Sequence, residues 1–439
     1  MLTYYLRLAL KSLRRTPIIA ALMIGAIALG VGVCITTLTV YRLMSGNPIE
    51  HRNDVLYSVT LDSWDPNQPW NDKRPELPPP ELSYRDAMAL LESDIPTRQV
   101  AMRKGSFVAE SDAATGVKPF TLISRFTTHD FFAMFDVPFQ YGNGWDAGAD
   151  QGSQRVAVLS KGTNDKVFGG QNSVGKTIRL DGKDYKVIGV LADWNPTPTF
   201  YDLNNGAFND IEEVFLPFSI GIVDQVQFAG NVNCWRDQPV NSFDDFLNSD
   251  CVWIQYWVEL RDRSQVDAYQ DFIDNYVKEQ KKLGRFERPL NNHLRHPDEW
   301  LRVNRVVQND NRVLVGLSFM FLAVCLLNMI GLMLAKFLGA APIVGLRRAL
   351  GATRQTIFSQ HLVEVGLIGV VGGVLGIGVA VLGLVGVRHM YENYEQLTRL
   401  DWTMALMALG IAIASGVLAG LYPTWRVCTV QPAGYLKTQ

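Results

Sequence analysis

Apolar residues gather into four long blocks, one before a long polar stretch and three after it. Ile18 to Tyr41, Val313 to Ala335, Val365 to Val387 and Trp402 to Leu421 run almost free of charge. Each supplies the roughly 20 residues a helix needs to cross about 30 Å of hydrocarbon. The stretch from about Gly46 to Arg312 is mixed in charge, rich in turn residues and long enough for its own core. Ahead of the first block, Leu2, Tyr5, Leu6, Ala9, Leu10 and Leu13 share one helical face, with Arg7, Lys11 and Arg14 on another. Such a helix suits the membrane–water interface, cations toward the headgroups. Thr16 reads as an N-cap and Pro17 as the first residue of the first span. That span exceeds a signal-peptide core and lacks a small-residue cleavage site, so it is expected to stay as an anchor.

Within the polar stretch the period switches repeatedly. A strand at Val55 to Leu61 leads into a Pro-rich loop through Pro80, a helix at Leu82 to Leu91 and strands near Gln99 to Glu110. Thr128 to Phe135 reads as a short capped helix. From Arg155 come a strand VAVL, a helix to Phe168, and strands TIRL and YKVIGVL around an Asp181–Gly182 turn. A strand at Trp253 to Leu260 and a helix at Ser264 to Lys282 close the region. This order is α+β rather than repeated βαβ. The predicted fold class is a membrane protein of four transmembrane helices, one plus three, with a large two-lobed α+β domain between the first and second.

The expected boundaries follow. An amphipathic helix covers 1–16, the first span and stalk 17–46, and the exported domain 47–297. Its lobe nearer the membrane takes about 47–115 and 252–297, its distal lobe about 116–251. Pro297 opens a further helix with Asp298 and Glu299 in its first turn, and no breaker appears before Gly316. That predicts one continuous helix from Asp298 to Phe337, roughly 60 Å long, as stalk and second span over 298–338. A short helical loop at 339–353, a third span at 354–389, an external loop at 390–400, a fourth span at 401–428 and a tail at 429–439 complete the chain.

Charge orients this layout. Arg7, Lys11, Arg14 and Arg15 precede the first span, and Lys336, Arg347, Arg348 and Arg354 lie between the second and third. Arg426 and Lys437 follow the fourth, whereas the loop after the third offsets Arg388 and Arg399 with Glu392, Glu395 and Asp401. The positive-inside rule places both termini and the second-to-third loop in the cytoplasm of a bacterial inner membrane, with the large domain outside. At 439 residues, 48% hydrophobic and a formal charge of −2, the chain has lipid as a partner and no basic domain for nucleic acid. Only Cys234 and Cys251 fall in the exported region, where an oxidising compartment favours their pairing; the alternative is two small buried residues that never meet.

Catalytic signals are thin. Gly170 to Thr177 (GQNSVGKT) matches the phosphate-loop pattern, which needs a strand before it and a helix after it. Here a helix precedes and a hairpin follows, so it reads as a turn. His293 and His296 make an HxxH without zinc-site context and read as a solvated pair. No catalytic residue, metal set or cofactor is assigned to the chain, and it does not read as an enzyme.

Two other patterns carry more. Gly345, Leu346, Arg347, Arg348, Ala349, Leu350, Gly351, Ala352, Thr353 and Arg354 read as a short helix, a glycine stop and a cap on the third span. The arginines enforce topology, and a short amphipathic helix pinned between spans is also a docking element for a cytoplasmic motor. Gln360, His361 and Glu364 follow at the membrane boundary, where charge is costly unless partnered or near water. In the third span, Gly369 with Gly373 and Gly372 with Gly376 form two small-xxx-small registers, serving either packing within one subunit or a subunit interface.

These residues together resemble the FtsX-like permease family of ABC transporters, specifically MacB-like members with a periplasmic core domain. GLRRALGATRQTIFSQHLVEVGLIGVVGGVLGI, beginning at Gly345, is similar to that family's coupling region and glycine-rich third span. Leu421 to Arg426 (LYPTWR) with Gln431, Pro432 and Ala433 resembles its ending. Ser173 to Leu180 with Tyr185 to Val190, and Thr128 to Phe139, resemble stretches of its periplasmic domain. The resemblance implies a mechanotransmission permease. A cytoplasmic ABC ATPase dimer, holding ATP and Mg on a separate chain, would move the periplasmic domains of paired permeases. Export or efflux of peptides, antibiotics or similar compounds, with a periplasmic adaptor and an outer-membrane channel, would follow. Within the same architecture, lipoprotein extraction and control of a cell-wall hydrolase are the alternatives. One departure stands out: the family usually has an acidic residue where this chain has Ile343, after Pro342. That fits an unequal pair in which the second permease is a paralogue rather than another copy.

Overall fold

The computed structural model describes residues 2–110, 118–306, 309–390 and 402–429. It begins with α1 (Leu2–Arg15), α2 (Pro17–Ser45), β1 (Leu56–Thr60), α3 (Tyr84–Leu91), β2 (Arg98–Ala109) and β3 (Phe120–Thr127). Next come α4 (Phe131–Met134), β4 (Phe139–Gly142), α5 (Ala147–Gln151), β5 (Val156–Leu159), α6 (Lys161–Phe168), β6 (Thr177–Leu180) and β7 (Lys183–Leu191). The chain continues through β8 (Val214–Pro217), α7 (Phe218–Val223), α8 (Phe243–Leu247), β9 (Gln255–Glu259), α9 (Arg263–Lys282), β10 (His293–Arg295) and α10 (Pro297–Val303). It ends with α11 (Asn309–Gly339), α12 (Ala341–Ala349), α13 (Arg354–Met390) and α14 (Trp402–Cys428). Residues 46–306 form one compact unit and the flanking stretches another.

In the helical unit, α2, α11, α13 and α14 are long and apolar enough to cross a membrane. α13 packs on α2 and α14, and α11 packs on the same two helices. Thr16 separates α1 from α2; its carbonyl accepts from the Ala20 N–H at 3.0 Å, while its hydroxyl caps nothing. The expected loop over 390–400 and most of the tail lie outside the described residues.

The other unit is built on one ten-stranded sheet in the order β10-β1-β9-β2-β3-β8-β5-β7-β4, with β6 pairing β2 and β7. The stretches assigned to two lobes supply its two halves, and the long antiparallel ladder between β2 and β3 joins them. Side chains alternate between two cores on opposite faces. Along β9, Tyr256 and Val258 enter one core while Trp257 enters the other; Ala157 and Val158 of β5 divide likewise. Covering on both faces explains why these strands read as continuous apolar runs instead of alternating ones. Strands β3, β4, β8 and β10 have no counterpart in the sequence reading; they are short, or mix polar residues into their buried positions.

The phosphate-loop lookalike is a turn. α6 ends at Gly169 in the left-handed region, and the next residues lead straight into the β6–β7 hairpin. Its amides are already used: Gly175 donates to the Val187 carbonyl at 2.8 Å and Lys176 to that of Ser173 at 2.9 Å. At the hairpin tip Asp181 and Gly182 both have positive φ, 45° and 77°, as a two-residue type I′ turn needs. His293 and His296 do not converge: one ring bonds the Asn291 side chain at 2.7 Å, the other the Asn53 carbonyl at 2.7 Å. A disulfide joins Cys234 to Cys251.

The predicted continuous helix from Asp298 to Phe337 is not formed. α10 stops at Val303, and Arg305 takes a φ of 50° that no helix continues through. Tertiary contacts explain the stop. Trp300 and Leu301 are buried in the aromatic core, and the Trp300 indole donates to the Phe200 carbonyl at 3.1 Å. Residues 298–303 thus belong to the sheet unit rather than to the second span.

Beneath the sheet lies an ionic cluster. Arg125 of β3 sits opposite Lys104 of β2 in the ladder, and both face Asp202 and Glu212. Arg125 reaches Asp202 at 2.6 Å, pairs with Glu212, and has no exposed side-chain surface. Burial opposes charge on Glu212, but Arg125 and Lys104 outweigh it and hold the carboxyl at about 2. Arg103, on the other face, is balanced differently. Its guanidinium donates to the Gly221 carbonyl at 2.8 Å and lies 4.4 Å from the Phe126 and Phe228 ring centres. Burial lowers it to about 9.

Glu81 gives this core a pH signature. Burial, with the charge of Asp202 adding, raises its carboxyl to about 8 despite a 2.5 Å hydrogen bond from Gln255. An unfolded chain releases that proton near the ordinary carboxylate value, so between the two values the folded state binds more protons. Stability therefore falls as pH rises through this window and the loss is complete above about 8. Burial lowers His293 to about 4, so it is neutral in both states above its unfolded value, whereas the hydrogen bond to Asp150 raises His129, which adds a loss of the same sign above about pH 6.5. Denaturant unfolding of the full chain in detergent should show a loss between about pH 6.5 and 8, of which Glu81 contributes about 2 kcal/mol. Glu81→Gln should reduce that slope and leave the smaller part due to His129; an unchanged slope would exclude Glu81 as a source.

Candidate functional site

The connection between α11 and α13 is a fixed piece of backbone. α12 takes Pro342 in its first turn, where no intrahelical N–H is needed. It ends in a double reverse bond: Ala352 N–H donates to the Arg347 carbonyl at 3.0 Å and Gly351 N–H to that of Arg348 at 3.1 Å. Gly351 has φ +100°, which suits a residue without a Cβ. Thr353 then caps α13, its hydroxyl accepting from the Thr356 N–H at 3.2 Å.

The two faces of α12 differ in chemistry. Ala341, Val344 and Gly345 are buried against the bundle. Arg347 turns inward and donates to the Gln360 side chain of α13 at 2.9 Å, and Arg348 reaches the Cys428 carbonyl of α14 at 3.5 Å. Outward stand Ile343, Leu346 and Leu350, 50%, 53% and 79% exposed. The arginines brace the helix, and apolar side chains form its free face. Ala349 and Arg354 are exposed beside them, and Ala352 packs partly against the bundle core.

Under α12 the bundle holds a charged group. Glu364 of α13 is 1% exposed and is held by Lys336 from the end of α11 and by the Ser12 hydroxyl of α1 at 2.7 Å. The His361 ring, tilted against Phe337 with ring centres 4.4 Å apart, adds Nδ1 at 3.6 Å from the second carboxylate oxygen. One carboxylate thereby ties three helices together. Sequence reasoning flagged Glu364 as a cost at the boundary but took Lys336 as a topology charge and passed over Ser12. The usable signal was opposite charge at the same end of two consecutive antiparallel spans.

Both glycine registers pack within the chain. A Cβ on Gly372 or Gly376 would meet Ile27, or Ala28 and Val31, of α2; on Gly369 or Gly373 it would meet Ala412 of α14. One helix thus receives two neighbours on adjacent glycine stripes, the close approach that substitutes for a hydrophobic drive in lipid.

Removing either member of the Glu364–Lys336 pair leaves the other charge buried. Glu364→Gln and Lys336→Met should each lower the stability of the detergent-solubilised chain by about 3 kcal/mol. The double change should cost clearly less than their sum. Additive losses in thermal unfolding would mean that the pair is not coupled.

Residues 20–276 match the family model for the MacB-like periplasmic core domain, and residues 315–432 match the FtsX-like permease C-terminal domain. The macrolide export ATP-binding/permease protein MacB of Azoarcus sp. strain BH72 is 23% identical over 287 residues, covering 65% of this chain and 38% of that protein. The pyoverdine export ATP-binding/permease protein PvdT of Pseudomonas syringae pv. syringae is 24% identical over 314 residues, covering 71% and 42%. The chain thus spans less than half the length of these curated relatives. Among solved structures, the periplasmic region of MacB from Actinobacillus actinomycetemcomitans aligns with TM-score 0.37 and 13% identity, covering 60% of this chain and 99% of that one.

Proposed function

Since the chain belongs to the MacB-like, FtsX-like permease family of ABC transporters, we propose that it is the permease subunit of a mechanotransmission machine whose ATPase is a separate chain. The exposed stripe of Ile343, Leu346 and Leu350 on a helix braced into the bundle carries this reading. An apolar ridge on a rigid support passes a push into the spans without first deforming itself. In this proposal α12 and both termini are cytoplasmic, ATP and Mg bind on an ABC ATPase dimer, and the α+β domain works in the periplasm. The charge pattern of the loops supports that orientation. The chain itself has no catalytic role.

A second FtsX-like permease completes the machine. A paralogue is favoured over another copy because Ile343 replaces the family's acidic residue, leaving that contact to the partner. An adaptor and outer-membrane channel carry cargo onward, and peptides, antibiotics or similar compounds are the proposed cargo. Relatives named for macrolide and pyoverdine export support that class.

Co-purification tests the docking face. Leu346→Asp with Leu350→Asp should reduce recovery of the ATPase on a tagged chain at least tenfold, with circular dichroism unchanged. Arg347→Glu with Arg348→Glu should do the same by unseating α12 from Gln360 and the end of α14. Full ATPase recovery with both pairs would reject docking at α12, and recovery of only an untagged second copy would reject the paralogue.

A further inference from the structure

A 510 Å³ cavity opens among α1, the end of α11, α12 and the start of α13. We propose that it binds the phosphate headgroup of an anionic phospholipid. Four cationic side chains, Lys11, Arg15, Lys336 and Arg347, line it against a single carboxylate, Glu364. Two are committed, Lys336 to that carboxylate and Arg347 to Gln360. Lys11 and Arg15 are exposed and carry no ion pair among the described residues, so the excess positive charge faces the opening.

The remaining walls suit a lipid more than a soluble anion. Leu8, Ile19 and the half-exposed Ile343 give the cavity an apolar side. Next to Ile19, α2 leaves Ile18 and Leu22 exposed at 75% and 55%, an apolar track for acyl chains. α1 carries the face pattern of a helix lying in the interface, so the cavity sits at headgroup depth. Basic pockets between membrane helices at that depth attract anionic headgroups, each cation contributing about 1 kcal/mol. A seated phosphate bridges Lys11 and Arg15 of α1 to Arg347 of α12, so lipid composition sets how firmly α12 is held. That consequence rests on α12 as the docking helix, whereas lipid binding does not.

Native mass spectrometry of the full chain, titrated with phosphatidylglycerol or with phosphatidylcholine of the same acyl chains, tests this. The wild-type chain should retain phosphatidylglycerol selectively, and Lys11→Gln with Arg15→Gln should weaken retention by about tenfold or more. Arg7→Gln with Arg14→Gln removes the same charge from α1 outside the cavity and should leave retention within about twofold. Equal retention of the two lipids, or equal loss in both double variants, would overturn the site. Displacement of phosphatidylglycerol by millimolar inorganic phosphate would overturn the lipid assignment in favour of a soluble anion.

Discussion

One buried carboxylate organises the helical unit. Glu364 lies where an unpaired charge is costly, so the surrounding helices must deliver a cation and a hydroxyl to it. Lys336 fixes the end of α11, Ser12 fixes α1, and one helical turn earlier Gln360 holds Arg347 of α12. α12 is thus tied to the spans through polar contacts, while its apolar side chains remain exposed. A purely apolar junction at the same place would leave the angle of α12 less well defined, because apolar contacts are not directional.

The sheet unit meets the same constraint with a different balance. Its buried charges are paired under the sheet, Arg125 and Lys104 against Asp202 and Glu212, so two facing cations in the β2–β3 ladder are tolerated. Arg103 is instead held by hydrogen bonds to carbonyls and by ring faces. Glu81 keeps its proton because it is buried, with the charge of Asp202 adding to the effect. The β2–β3 ladder that carries both arginines is also the seam between the sheet's two halves.

Much of this was legible in the chain. The spans follow from apolar length alone, and the false phosphate loop could be dismissed because a helix before it and a hairpin after it are local properties. The helix, stop and cap from Gly345 to Thr353 also follow from local rules, since a left-handed stop selects glycine and a cap selects a hydroxyl. Where the reading went astray, a distant contact decided. The helix opened by Pro297 had no breaker in its own sequence; burial of Trp300 and Leu301 under the sheet ended it.

The sequence by itself determined four spans in a one-plus-three order, an α+β insert and a short capped element between the second and third spans, because each rests on contacts a few residues apart. Tertiary structure alone decided which side of α12 is free, which neighbour each glycine stripe receives and which cation meets Glu364. Those outcomes join residues from different helices, and no periodicity along one segment encodes the partner on another. The arginines, conspicuous in the sequence, face inward as braces, and the face of α12 left exposed is apolar.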